Sequence, residues 1–138
     1  MKILDPLAFA IAACRRVAPP GVAVESHAGV DAADVFPLAV VQTTAPSSVR
    51  NGPLAAAVNL TISVSVYDAG PDDERASEIA RTMFGGLVQA WRDHTELPHG
   101  ALVHIGNDAQ LPARFSSTLE ADDVHRWHFT MPCTVRPS

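Results

Sequence analysis

The chain has 138 residues, 47% of them hydrophobic and 18% charged, and a formal net charge of −5. That length fits one domain, residues 1–138, around one core, and the composition excludes a disordered chain. The acidic balance speaks against nucleic acid as the main ligand, because phosphate binding needs a basic face.

Met1-Lys2 followed by the apolar run from Leu7 to Cys14 has the outline of a short signal peptide ending in a lipidated cysteine. Asp5-Pro6 interrupts it, and the same residues read better as a first helix, Asp5 to Val17. Asp5 caps, Pro6 takes the first helical position, and Leu4, Leu7, Ile11 and Cys14 recur near helical spacing. Pro19-Pro20-Gly21 stops that helix. Val22–Ser26 reads as a short strand, His27–Val35 as a connection and Phe36–Thr44 as a strand with Pro37 near its start. No run reaches the roughly 18 apolar residues that cross a bilayer, so no membrane partner is expected.

Ala45–Pro53 is dense in turn formers and exceeds the 2–5 residues that a hairpin usually needs, which predicts a long loop with a role of its own. From Ala56 to Tyr67 the pattern is regular. Ala56, Val58, Leu60, Ile62, Val64 and Val66 fall on one side of a strand, with Asn59, Thr61, Ser63, Ser65 and Tyr67 on the other. One face of the sheet therefore meets a core, and the opposite face is expected to be uncovered.

Asp68–Glu74 announces a second helix, with proline in the first turn and acids near the positive end of the dipole. Ala76, Ile79, Ala80, Met83, Phe84, Leu87, Val88 and Trp91 give it a broad apolar stripe running to about His94. Gly85-Gly86 inside it costs about 1 kcal/mol per glycine relative to alanine, which implies close packing against another backbone or a bend. Ala101–Ile105 reads as a short strand. Asn107–Leu119 has weak periodicity and is assigned no element, and Glu120–Asp123 is an acidic turn. In the last strand His125, Trp127, Phe129, Met131, Cys133 and Val135 alternate with Arg126, His128, Thr130, Pro132 and Thr134. Pro132 removes a ladder donor, which predicts an edge position or a bulge.

The order of elements specifies an α+β fold: an antiparallel or mixed β-sheet with two α-helices packed on one face. Chemistry is sparse. His125 and His128 are three apart on a strand and point to opposite faces, while His94, His99 and His104 fall at a helix end, in a loop and on a strand, so no metal is expected. The acids of Asp72-Asp73-Glu74 are explained by the helix dipole. Cys14 and Cys133 lack metal-ligand spacing and fall on apolar faces, so buried free thiols are expected. No Gly-x-Ser-x-Gly elbow or phosphate-binding loop is present. No catalytic residue and no cofactor are assigned, and the chain reads as a non-enzyme.

The arrangement resembles a family. The N-terminal helix, the strand Phe36-Pro37-Leu38-Ala39-Val40-Val41 and the long loop come first. The alternating strand ending Val64-Ser65-Val66-Tyr67-Asp68 then feeds the acidic-started helix Asp72–Ala80, and Val124-His125-Arg126-Trp127-His128-Phe129 opens the terminal strand. Over nearly its full length the chain is similar to the tail terminator, or tail completion, proteins of long-tailed bacteriophages. The resemblance implies a structural protein of the virion tail, assembled in the host cytoplasm as a homo-oligomeric ring, commonly a hexamer. Such a ring caps the tail tube, stops its polymerisation and provides the surface for head attachment.

The partners implied are further copies of the chain, the tail tube protein and a head-completion or connector protein, with DNA passing through unread. In that setting Ser47, Ser48, Val49, Arg50, Asn51 and Gly52 are candidates for contact with the tube or a neighbouring subunit. Asn59, Thr61, Ser63, Ser65, Arg126, His128 and Thr130 are candidates for a channel or assembly face. The alternatives are a head-to-tail connector or other minor tail protein and, more distantly, a small enzyme with a His/Arg pocket between sheet and helices.

Overall fold

A computed structural model describes residues 3–29, 32–48, 57–115 and 123–138. Two helices, α1 (Pro6–Val17) and α2 (Glu74–Arg92), cover one face of a seven-stranded sheet. The strands are β1 (Ala23–Glu25), β2 (Leu38–Thr43), β3 (Ser47–Ser48), β4 (Val58–Ala69), β5 (Gly100–Ile105), β6 (Gln110–Phe115) and β7 (Val124–Pro137). The α+β class expected from the sequence is therefore the one observed. The sheet is mixed, since β1 runs parallel to β2 and every other pairing is antiparallel.

The long strands β4 and β7 form the centre, paired in unbroken register from Val58↔Val135 to Ala69↔Val124. Each is flanked by an interrupted strand. On one side β2 pairs with the C-terminal half of β4 and β3 with its first residues. On the other, β5 pairs with the end of β7 and β6 with its beginning. The break between β5 and β6 lies opposite Pro132, whose carbonyl accepts from Gly106 N at 2.7 Å. In an antiparallel ladder the N–H and C=O of one residue point to the same side, so the N–H that proline lacks is missing from this edge. This corrects the expectation for Pro132. Strand β7 is neither at an edge nor bulged in its pairing with β4, and the irregularities fall in the partner strands, at Leu102/His104 and Gln110/Ala113. It also places the unassigned stretch: Gln110–Phe115 is a strand.

Helix α1 starts as its residues dictate. The Asp5 carboxylate accepts from Ala8 N at 3.0 Å, Pro6 opens the helix, and Leu4 and Phe9 occupy the positions of a hydrophobic staple, both buried. In α2 the acids stand at the helix start as expected, and Asp73 has a further, tertiary partner. Asp72 accepts from Glu74 N, but the Asp73 side chain makes no cap bond. Instead it accepts from Trp127 Nε1 at 2.9 Å and lies 3.8 Å from Arg114, tying the start of α2 to β7 and β6. The Trp127 bond chiefly, and Arg114 after it, lower the Asp73 pKa below the usual carboxylate value.

The core takes the expected Ile79, Met83 and Leu87 of α2 and the inward residues of β4 and β7, but α1 differs from its expected stripe: Phe9, Ala10, Ala13 and Cys14 are buried, while Leu7 and Ile11 are only half-buried. Cys14 and Cys133 are free and buried. Burial pushes both thiols up to about 12, with the neighbouring Cys133 adding to the effect on Cys14. At mildly alkaline pH the folded protein is expected to leave both unmodified by a thiol reagent while the denatured chain reacts at once. Prompt labelling of either thiol in the native protein would contradict this packing.

Candidate functional site

The register turns the candidate face into rows that cross the sheet. Odd residues of β4 lie beside even residues of β7, all on the side away from the helices. One row is Gln42–Ser63–Thr130–Gln110. Toward one end come Thr61–Pro132 and then Ser47–Asn59–Thr134–His104. Toward the other come Val40–Ser65–His128–Ala113 and Leu38–Tyr67–Arg126–Phe115. The seven candidates Asn59, Thr61, Ser63, Ser65, Arg126, His128 and Thr130 therefore share one face, as expected.

They do not share one environment. Gln42, Ser63, Thr130, Gln110, Thr61, Pro132, Ser47, Asn59, Thr134 and His104 form a band without an Asp, Glu, Lys or Arg. Within it Thr134 Oγ1 donates to Asn59 Oδ1 at 2.7 Å, and Thr61 N donates to Thr44 Oγ1 at 2.9 Å. A shallow hollow of about 280 Å³ opens here, lined by Thr44, Asn59, Thr61, His104 and Thr134 among others. Ser47 also lines its rim. Ser48 pairs with Val58, while Val49, Arg50, Asn51 and Gly52 lie outside the described residues.

The opposite end is covered, which corrects the expectation of a uniformly open face. Ser65 is 6% exposed and Leu38 only 1%. The Arg126 guanidinium lies between two rings, 5.4 Å from the centroid of Tyr67 and 4.0 Å from that of Phe115. Phe36 stacks on Tyr67 with centroids 6.3 Å apart. Arg126 Nε and one terminal nitrogen approach Ser65 Oγ at 3.2 and 3.0 Å, and Ser65 Oγ lies 2.8 Å from His128 Nδ1. Burial, and then the Arg126 charge, hold His128 below the ordinary imidazole pKa. Sequence periodicity assigned these groups to one face. It could not show that aromatic side chains from β4, β6 and the segment before β2 close over them, because Phe115 belongs to a strand without periodicity.

Arg126 and His128 lie on the face away from α1 and α2, so they do not share a pocket between sheet and helices. His125 points the other way and sits 2.9 Å from the Gly70 carbonyl through Nε2. Among the described residues no group of three or more His, Cys, Asp or Glu could hold a metal ion.

The sheet edges are blunted. Ala23 N bonds inward to Pro37 O, so the next residue of β1 points its carbonyl outward, and Arg15 donates to that Val24 oxygen at 3.1 Å. At the other edge Trp91 Nε1 donates to the Val103 carbonyl at 3.2 Å, and β6 carries Pro112, which has no N–H. Such devices oppose open-ended strand-to-strand pairing between copies. No helix among the described residues is long and apolar enough to cross a membrane. No protein-family model matches the chain, and no curated protein matches its sequence.

Proposed function

We propose that this chain is a structural protein of a long-tailed phage virion that acts as a tail terminator. Copies assemble into a ring, a hexamer in the arrangement the resemblance implies. The ring caps the tail tube, halts its polymerisation and offers the surface to which the head joins.

The observation that supports this most is the uncharged band on the open sheet face. A ring whose subunits turn this band toward the bore presents hydroxyl and amide groups to passing DNA. DNA adheres to proteins mainly through Lys and Arg contacts to phosphate, and these rows carry none. The chain's net charge of −5 works in the same direction. Blunted edges support a closed assembly over an open-ended sheet. The segment from Ser47 to Gly52, whose first two residues pair with β4 beside the band, is the part assigned to the tube or a neighbouring subunit.

The test is electron microscopy of tails assembled without this protein. Overlong tubes of variable length are the expected result. Headless tails of normal length would instead favour a connector or other minor tail protein. A variant with Val49–Gly52 deleted is expected to fold but fail to cap, and tails of normal length from it would remove that segment from the proposal.

A further inference from the structure

Two flanks of the subunit are apolar where a solvent-facing surface is normally charged. The first is α1, in which every residue from Pro6 to Ala13 is apolar. Phe9, Ala10 and Ala13 enter the core, so Leu7, Ala8, Ile11 and Ala12 are left half-buried around the rest of the helix. Helix α2, on the same side of the sheet, exposes Arg75, Glu78, Arg81, Gln89 and Arg92 instead. A helix that is apolar all round is normally a covered one. Because α1 packs on β1 and β2, its outer surface lies toward the β1 edge of the sheet.

The second flank is the opposite edge. Strands β5 and β6 pair with β7 alone among the described strands. They carry Val103, Leu111 and Phe115, three of the five large apolar side chains exposed among the described residues. Leu111 is 71% exposed. Phe115 lies against Arg126, which leaves Val103 and Leu111 as the outward groups of this edge. Exposed apolar groups gathered on one surface mark an interaction site. The Val103 carbonyl is taken by Trp91 and Pro112 has no N–H, so a partner meets this edge through side chains rather than by extending the ladder. The two flanks also differ in charge. Arg16, exposed at the end of α1, and Asp108, exposed in the turn between β5 and β6, have no ion pair among the described residues.

We propose that the two flanks are the halves of one contact between copies of this chain. The outer face of α1 in one copy covers Val103 and Leu111 of the next, with Arg16 beside Asp108. The pairing rests on the ring proposed above and names the surfaces that close it. A contact between two different patches, repeated head to tail, closes into a ring when the rotation allows. Since the patches lie at opposite edges of the sheet, each copy serves one neighbour with each, and the open sheet face stays free for the bore. A second copy is the occupant because each flank supplies what the other lacks, apolar cover and a charge of opposite sign.

The experiment combines Ala12→Cys and Val103→Cys in the intact chain and treats it with a short bismaleimide, both in solution and on assembled tails. A ladder of covalent multimers ending at the ring number is expected on a denaturing gel, from the double variant only. The natural chain, whose two thiols are buried, is expected to give none. Multimers from either single variant would mean that a patch meets itself, and would overturn the proposal. Should the cysteine variant fail to fold, charge exchange decides. Arg16→Asp or Asp108→Arg alone is expected to weaken association about tenfold, as attraction at an exposed pair becomes repulsion, and the two together to restore it. No recovery in the combined variant would overturn the contact. Micrographs of the same tails separate the two readings: a ring without a ladder removes these flanks and leaves the ring, whereas neither ring nor ladder removes both.

Discussion

Phe129→Ala is expected to lower the unfolding free energy by about 3–5 kcal/mol, the range for removing a fully buried aromatic ring. Phe129 is 0% exposed at the middle of the longest strand. It pairs with Val64 across the central ladder, and Phe84 of α2 meets it edge to face with centroids 5.3 Å apart. The substitution therefore empties the point where helix and central strands converge, and it removes an aromatic pair worth about 0.5–1.5 kcal/mol beyond its area. Against a total stability of about 5–15 kcal/mol the variant would be marginal. Urea denaturation checks this through the midpoint at unchanged slope. A loss under about 1 kcal/mol would mean that the core is not centred here.

Two adjacent glycines provide the second large effect, with opposite signs. A methyl group built on Gly86 falls 2.7 Å from Val17 Cβ and 2.9 Å from Val17 Cγ1, whereas one on Gly85 meets nothing within 4 Å. The sequence left close packing and a bend as alternatives for the pair; at Gly86 the close approach of α1 explains the residue, and at Gly85 no contact does. Gly85→Ala is expected to stabilise by up to about 1 kcal/mol through helix propensity. Gly86→Ala gains the same propensity but forces α1 and α2 apart, at an overpacking cost of about 1–3 kcal/mol. Because propensity is common to both, the difference between the variants reads the Val17 clash alone. Equal stabilisation of the two would show that the helices do not approach as described.

Legibility in the sequence followed burial. Strand β4 could be read because every second residue from Val58 to Val66 enters the core while the residues between them lie on the opposite face. Helix α2 could be read because its buried positions Ala76, Ile79, Ala80, Met83 and Leu87 repeat at three and four residues. Strand β6 could not, because Gln110, Leu111, Ala113, Arg114 and Phe115 are exposed and leave no alternation to detect. Its position comes from β7 and from the Arg114–Asp73 pair.

The tertiary partner of Asp73 was hidden for a related reason. An acid at a helix start has a sufficient local explanation, while its partner Trp127 stands 54 residues away. The candidate face was legible as a set of residues but not as an environment. Arg126 pairs with Tyr67 in register yet reaches diagonally to Ser65, and that step depends on a pairing no local pattern encodes. The neutral band was more accessible, since hydroxyl and amide residues recur at alternate positions in both central strands.

On the proposed function the uncharged band lines the bore of a closed ring. A cryo-electron microscopy reconstruction of the head-proximal end of the tail decides this. The expected result is a ring of this chain at the last layer of the tube, with Gln42, Ser63, Thr130 and Gln110 facing the channel and α1 and α2 turned outward. A ring with those residues on its outer surface, or a terminal layer that does not contain the chain, would contradict it.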